Sequence, residues 1–167
     1  MVHRTPDVWE NHTLTIDHTF NAPRALVWEA WTRPDHLAEW WGPESFTNPR
    51  CEVDVRPGGA IHIDMLGPDS VTYPMVGVVR EVQEPERLVF VSSALDDVGK
   101  PVFEVLYTAT FTAEGDITHL TLETRVLSAT SVAGQFLSGM EAGWAQSLNK
   151  LDRFLSSRDN SSGASAL

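Results

Sequence analysis

Apolar and polar residues alternate along seven stretches of the chain, and this period of two predicts β-strands with one buried face. The first stretch places Leu14, Ile16 and Phe20 on one face, with threonine and aspartate on the other. Short connections rich in glycine, proline and acidic residues separate the six later stretches, which favours an antiparallel meander over β-α-β units. The seven stretches read HTLTIDHTF, CEVDVRPGG, AIHIDML, YPMVGVVREV, RLVFVSS, PVFEVLYTATF and THLTLETRV.

Helical spacing of apolar residues replaces this alternation in three places. The segments NAPRALVWEAW and TRPDHLAEWWGP predict two short helices after the first strand, and Gly42-Pro43 ends the second of them. A longer helix is predicted from about residue 130 to residue 155. Its apolar face consists of Phe136, Leu137, Met140, Trp144, Leu148, Leu151 and Leu155.

Four glycines lie inside these patterns, where other residues form the element better. Gly134, Gly139 and Gly143 in the long helical segment each cost roughly 1 kcal/mol relative to alanine, and they indicate close approach of another backbone. Gly77, in an apolar strand, predicts a bend or bulge that curves the sheet. The elements together predict an α+β fold of order β-α-α-β6-α. In this fold a curved antiparallel sheet of about seven strands surrounds the C-terminal helix.

Composition changes this picture mainly by excluding partners. The 167 residues suffice for one domain, expected at residues 1–155 with an N-terminal extension at 1–11. The net charge of −11 argues against nucleic acid and anionic membrane surfaces as partners. The single cysteine and the lack of a long apolar run favour a cytoplasmic protein. Small polar residues predict a disordered tail at 156–167.

Four segments carry motifs of a known family, in the order FNAPRALVWEAWTRPDHLAEWWGP, DVRPGG, EPERLVF and GMEAGWAQSLNKLDRFL. Together they resemble the Hsp90 ATPase activator homologue-like branch of the START-like, or SRPBCC, superfamily. The resemblance extends from about Thr13 to Leu155. It implies the helix-grip fold, also known as START-like or Bet v1-like. It also implies a deep cavity between sheet and C-terminal helix that often accepts hydrophobic small molecules.

The adjacent tryptophans Trp40 and Trp41 end the second short helix, which in this family lies across the open end of the sheet. We expect one indole, that of Trp41, to plug the core and the other to lie toward the cavity mouth or the surface. Tyr107 falls in the apolar register of its strand, where a buried hydroxyl needs a partner, which a ligand or another protein group can supply. The residues predicted to bind the ligand are Trp40, Trp41, Met75, Phe90, Tyr107, Phe136, Met140 and Trp144.

These residues favour binding of a hydrophobic or aromatic small molecule without catalysis. A first alternative is a cyclase- or hydrolase-like enzyme for an apolar substrate, with His62, Asp64 and Tyr107 as acid and base groups. It requires His62 and Asp64 to face inward, although the intervening isoleucines are the better inward candidates. The histidines show no metal-site spacing and no glycine-rich phosphate loop is present, so we expect neither a metal nor a cofactor.

Contact with an Hsp90-type chaperone is a second alternative. The eukaryotic activator that gives the family its name has a separate N-terminal domain that adds to the chaperone interaction. Only a short stretch precedes the first predicted strand here, so this alternative is the less favoured one. A homodimer is compatible with every alternative.

Overall fold

Seven strands form one antiparallel sheet, as the alternation predicts. The computed structural model describes residues 11–130 and 134–165, without the side chains at 135–136 and 158–165. Strands β2 to β7 pair consecutively and β1 joins the far edge, giving the order β1-β7-β6-β5-β4-β3-β2. The strands are β1 (Thr13–Phe20), β2 (Thr47–Val53), β3 (Ala60–Leu66), β4 (Thr72–Gln83), β5 (Arg87–Leu95), β6 (Pro101–Glu114) and β7 (Ile117–Ala129).

Two short helices follow β1. The first, α1 (Arg24–Thr32), buries Trp28 and Trp31, and the second, α2 (Pro34–Leu37), is a single turn. The predicted second helix extended to the tryptophan pair, but regular helix ends at Leu37. Looser hydrogen bonds from the Trp40 and Trp41 amides to the Leu37 carbonyl continue the turn. Gly42 then adopts a φ of +89°, which only glycine accepts readily.

The C-terminal helix is divided, which corrects the prediction of one helix from residue 130. The pieces are α3 (Gly134–Leu137) and α4 (Met140–Ser165), separated at Ser138 and Gly139, where glycine weakens the helix. The predicted disordered tail from Ser156 overlaps α4, which extends to Ser165, past the buried Leu155. The predicted N-terminal extension lies outside the described residues, except for Asn11.

Two glycines act differently from the prediction. The register shift in β4 occurs between Val79 and Glu81 and not at Gly77. A Cβ on Gly77 would lie 2.1 Å from the Val91 carbonyl oxygen, so close strand approach is what requires glycine there. Gly143 in α4 has no such close neighbour, because a Cβ added there would meet no atom within 4 Å. Close backbone approach is therefore wrong as an explanation of Gly143.

The core lies between the inner face of the sheet and one face of α4. Trp144, Leu148, Leu151 and Leu155 from that face are buried. At the edge of the sheet, His18 Nε2 lies 3.0 Å from an Asp152 carboxylate oxygen and ties β1 to α4. The helix and the sheet thus meet closely at this end and leave space further along the inner face.

Candidate functional site

A cavity of about 480 Å³ lies between the inner face of β3–β6, the start of α4 and the loop at residues 42–46. We call it the main cavity, and we call residues 42–46 the mouth loop. The volume of the main cavity falls within the range typical of small-molecule sites. No charged side chain lines it among the described residues. Its aromatic and methionine lining consists of Trp41, Phe46, Met65, Tyr73, Met75, Phe103, Tyr107, Met140 and Trp144.

Aromatic rings in mutual contact form one wall of the main cavity. The Trp144 ring from α4 meets Trp41 edge to face, with centroids 5.4 Å apart at 85°. It also lies 5.6 Å from the ring of Tyr107, which stacks on Phe90 at 4.9 Å and 17°. Such edge-to-face and offset pairs are favourable beyond the area they bury. The wall is therefore a stiff surface suited to a flat apolar molecule.

Polar groups on this wall come together around the Tyr107 hydroxyl. Burial raises the pKa of Tyr107, while hydrogen bonds from the Ser92 and Trp144 side chains act in the opposite direction. Tyr107 lies on β6 opposite Phe90, and Ser92 follows two residues later on β5, on the same face. The net result is a neutral phenol beside a serine hydroxyl, both bordering the main cavity.

The two adjacent tryptophans take opposite roles from those predicted. Trp40 is fully buried, and its Nε1 donates to the Ala30 carbonyl oxygen over 2.9 Å. Trp41 lines the main cavity. Which of two consecutive residues enters the core depends on the turn that follows Leu37, and the apolar pattern does not contain that turn.

Most other predicted ligand-binding residues lie at or near the main cavity. Met75, Met140 and Trp144 line it directly. Phe90 lies behind it and lines a deep pocket of only about 20 Å³, which also borders Trp31. Nothing is described of the Phe136 side chain. Sequence reasoning missed Phe46 and Tyr73, because neither the loop nor the strand end that holds them shows a periodic signal.

The predicted catalytic pair lies away from the cavity. His62 and Asp64 are on the outer face of β3, with His62 Nε2 and Asp64 Oδ1 2.9 Å apart. Ile61 and Ile63 take the inner positions and are buried. Since successive side chains on a strand point to opposite faces, filling the inner face with isoleucine forces the pair outward. Of the three candidate catalytic residues, only Tyr107 borders the cavity.

A polar cluster on α4 holds the mouth loop in place. Lys150 Nζ lies 3.1 Å from the Phe46 carbonyl oxygen and 3.2 Å from that of Pro43, and within 3.5 Å of two more. Burial lowers the pKa of Lys150. Arg153 pairs with Glu44 at 2.6 Å, and the Glu44 amide donates to Gln146 Oε1. These contacts position the loop between Trp41 and Phe46 at the cavity mouth.

Replacing Lys150 tests whether this cluster stabilises the mouth loop. We expect Lys150→Met to lower the free energy of unfolding by about 1–2 kcal/mol, because four carbonyl oxygens lose a charged donor that is partly exposed to water. Chemical denaturation measures the effect. Arg153→Met is the matched control and should change stability little, because its ion pair is exposed. Equal effects of the two substitutions would contradict the assignment.

Two other features do not form part of the site. A surface groove of about 650 Å³ beside Lys150 contains Glu39, Glu44 and Arg153, charges of both signs that do not suit an apolar ligand. Burial raises the pKa of Cys51 to about 11, so this half-buried thiol is a poor nucleophile near neutral pH.

No helix in the described ranges is both long and apolar enough to span a bilayer.

Comparisons with known proteins agree with this architecture. The family model for Activator of Hsp90 ATPase homolog 1-like protein matches residues 21–156. A crystal structure of a Mycobacterium smegmatis protein is similar at 29% identity and a TM-score of 0.73, covering 86% of this chain and 90% of that one. An NMR structure from Arthrobacter aurescens shows 25% identity and a TM-score of 0.76, with coverage of 87% and 86%.

The crystal structure of the AHSA1 protein from Silicibacter pomeroyi has 22% identity and a TM-score of 0.74, covering 88% of this chain and 99% of that chain. At this identity the similarity shows the fold alone. No protein with a curated description matches the sequence significantly.

Proposed function

We propose that this chain, which belongs to the family of Activator of Hsp90 ATPase homolog 1-like proteins, binds an apolar small molecule in its main cavity. The observation that carries the proposal is an open volume of about 480 Å³ with an aromatic and methionine lining and no charged side chain among the described residues. Methionine side chains adapt to irregular apolar shapes, which suits a binding site.

The chemistry of the lining also favours an apolar occupant. The cavity is open at its mouth, so the alternative to a ligand is water in contact with aromatic and methionine side chains. Water has few hydrogen-bonding partners on these walls, so an apolar molecule fits them better.

Binding is a better proposal than catalysis, because His62 and Asp64 lie on the outer face of the sheet. The main cavity is an apolar site of small-molecule size, which supports a small molecule as the proposed partner.

Gly143 provides the test of the proposed function. Gly143 lines the main cavity, and a Cβ added to it would meet free space. The substitution Gly143→Leu should therefore fill part of the cavity. With N-phenylnaphthylamine as an uncharged fluorescent probe, we expect wild-type protein to enhance its emission and Gly143→Leu to bind it at least about tenfold more weakly. The reason is that a leucine side chain would occupy the volume that the probe needs.

The matched control is Ala142→Leu, which adds the same side chain at an exposed position one residue away. It should bind the probe as the wild type does, and melting temperatures of both variants should show that they fold. Two outcomes would contradict the proposed function. One is a wild-type protein that does not bind the probe, and the other is unchanged binding by a folded Gly143→Leu variant.

A further inference from the structure

Two hydroxyl groups, those of Tyr107 and Ser92, border the main cavity. Tyr107 lies on β6 opposite Phe90, and Ser92 lies two residues further along β5, on the same face. The indole of Trp144, whose ring lies 5.6 Å from that of Tyr107, can donate a hydrogen bond but cannot accept one. A hydrogen bond between the two hydroxyls would use only one of their two protons. The pair therefore has a donor proton to offer to a molecule in the cavity.

The charges around the cavity limit the ligand further. No lysine, arginine, aspartate or glutamate is among the described lining residues. The ammonium group of Lys150 lies against the carbonyl oxygens of the mouth loop. A carboxylate or an ammonium group entering the cavity would lose its water and find no counter-charge, which is strongly unfavourable. The ligand should therefore be uncharged.

Aromatic rings also bind cations by their faces, so a cation is the alternative to weigh. One accessible ring face is enough for such a contact, but no acidic side chain among the described lining residues would neutralise a cation that has lost its water. The rings of Trp41 and Trp144 meet edge to face at 5.4 Å, and Trp144 lies 5.6 Å from Tyr107. These rings form a continuous wall, which favours a flat uncharged ligand lying against them.

We propose that the ligand of the main cavity is an uncharged flat aromatic molecule with a carbonyl oxygen, and that this oxygen accepts the hydroxyl proton left over by Tyr107 and Ser92. This inference rests on the proposed function. The inference adds the chemical class of the ligand, which comprises aromatic ketones, aldehydes, esters and quinones.

Three probes of similar shape separate this inference from the proposed function. Acetylnaphthalene carries the carbonyl group, ethylnaphthalene lacks it, and naphthoate replaces it with a charged carboxylate. Calorimetry should show that acetylnaphthalene binds about fivefold more tightly than ethylnaphthalene, the effect of one net hydrogen bond. Naphthoate should bind most weakly of the three.

Variants then locate the hydrogen bond. Tyr107→Phe keeps the ring and its stacking on Phe90 but leaves the Ser92 hydroxyl, and Ser92→Ala leaves the Tyr107 hydroxyl, so each single variant should keep part of the preference for the ketone. The double variant has neither hydroxyl, so its acetylnaphthalene affinity should fall to that of ethylnaphthalene, whose own affinity stays unchanged. Melting temperatures show whether each variant folds.

Equal affinities of the ketone and the hydrocarbon in wild-type protein would overturn this inference and leave the proposed function standing. Tightest binding of naphthoate, or a ketone preference that survives in the double variant, would also overturn it. If none of the three probes binds to a protein that binds N-phenylnaphthylamine, this inference fails and the proposed function stands. If N-phenylnaphthylamine does not bind either, both fail.

Discussion

Trp40→Ala should lower the free energy of unfolding by about 4 kcal/mol, the typical cost of removing a fully buried tryptophan. The Trp40 side chain has no exposed surface, and its ring lies 4.8 Å from that of Trp31. Its indole N–H also donates to the Ala30 carbonyl, so truncation removes both packing and a hydrogen bond between the turn and α1. Denaturation with guanidinium chloride measures the loss as a shift of the midpoint at constant slope.

Trp41→Ala is the matched comparison, because it removes the same side chain one residue away. Trp41 borders the main cavity, so its loss enlarges a volume that already exists, and we expect the smaller effect on stability. Its effect on probe binding should be the larger of the two. If Trp41→Ala destabilises the protein more than Trp40→Ala, then Trp41 plugs the core and the structural assignment is wrong.

The sequence predicted the strands well and the directions of the two tryptophans poorly. The strands were predictable because a period of two is imposed locally wherever one face of a sheet is buried. The alternation through Val105, Tyr107 and Ala109 placed these residues on the inner face, and all three are buried. Family motifs supplied the rest of the architecture, and the family match confirms that resemblance.

Contacts between distant segments were not predictable in the same way. The direction of Trp41 depends on the turn at Gly42 and on Lys150, which holds the mouth loop from a helix more than 100 residues later. Tyr73 and Phe46 reach the cavity from ends of elements, where no periodicity indicates a direction. A hydrophobic pattern also does not show how closely neighbouring strands approach. Gly77 was therefore predicted to mark a bend or bulge, whereas the register shift of β4 lies between Val79 and Glu81.

Gly77→Ala should destabilise the protein by about 3 kcal/mol, at the upper end of the cost of overpacking. An added Cβ would lie 2.1 Å from the Val91 carbonyl oxygen and 3.2 Å from the Ser92 Cα. Both neighbours are backbone atoms of β5 and cannot rotate away, so β4 and β5 must separate. Because Ser92 borders the main cavity, the substitution should also weaken the preference for a carbonyl-bearing ligand.

Gly143→Ala is the matched control, since the same methyl group is added at a position where no atom lies within 4 Å. Here the gain in helix propensity acts alone and should raise the free energy of unfolding by up to about 1 kcal/mol. Chemical denaturation of the two variants should therefore give changes of opposite sign. Equal destabilisation would mean that α4 also needs close approach at Gly143, and the open space at the cavity would no longer explain the glycine. A neutral Gly77→Ala would show that β4 and β5 are further apart than the structure places them.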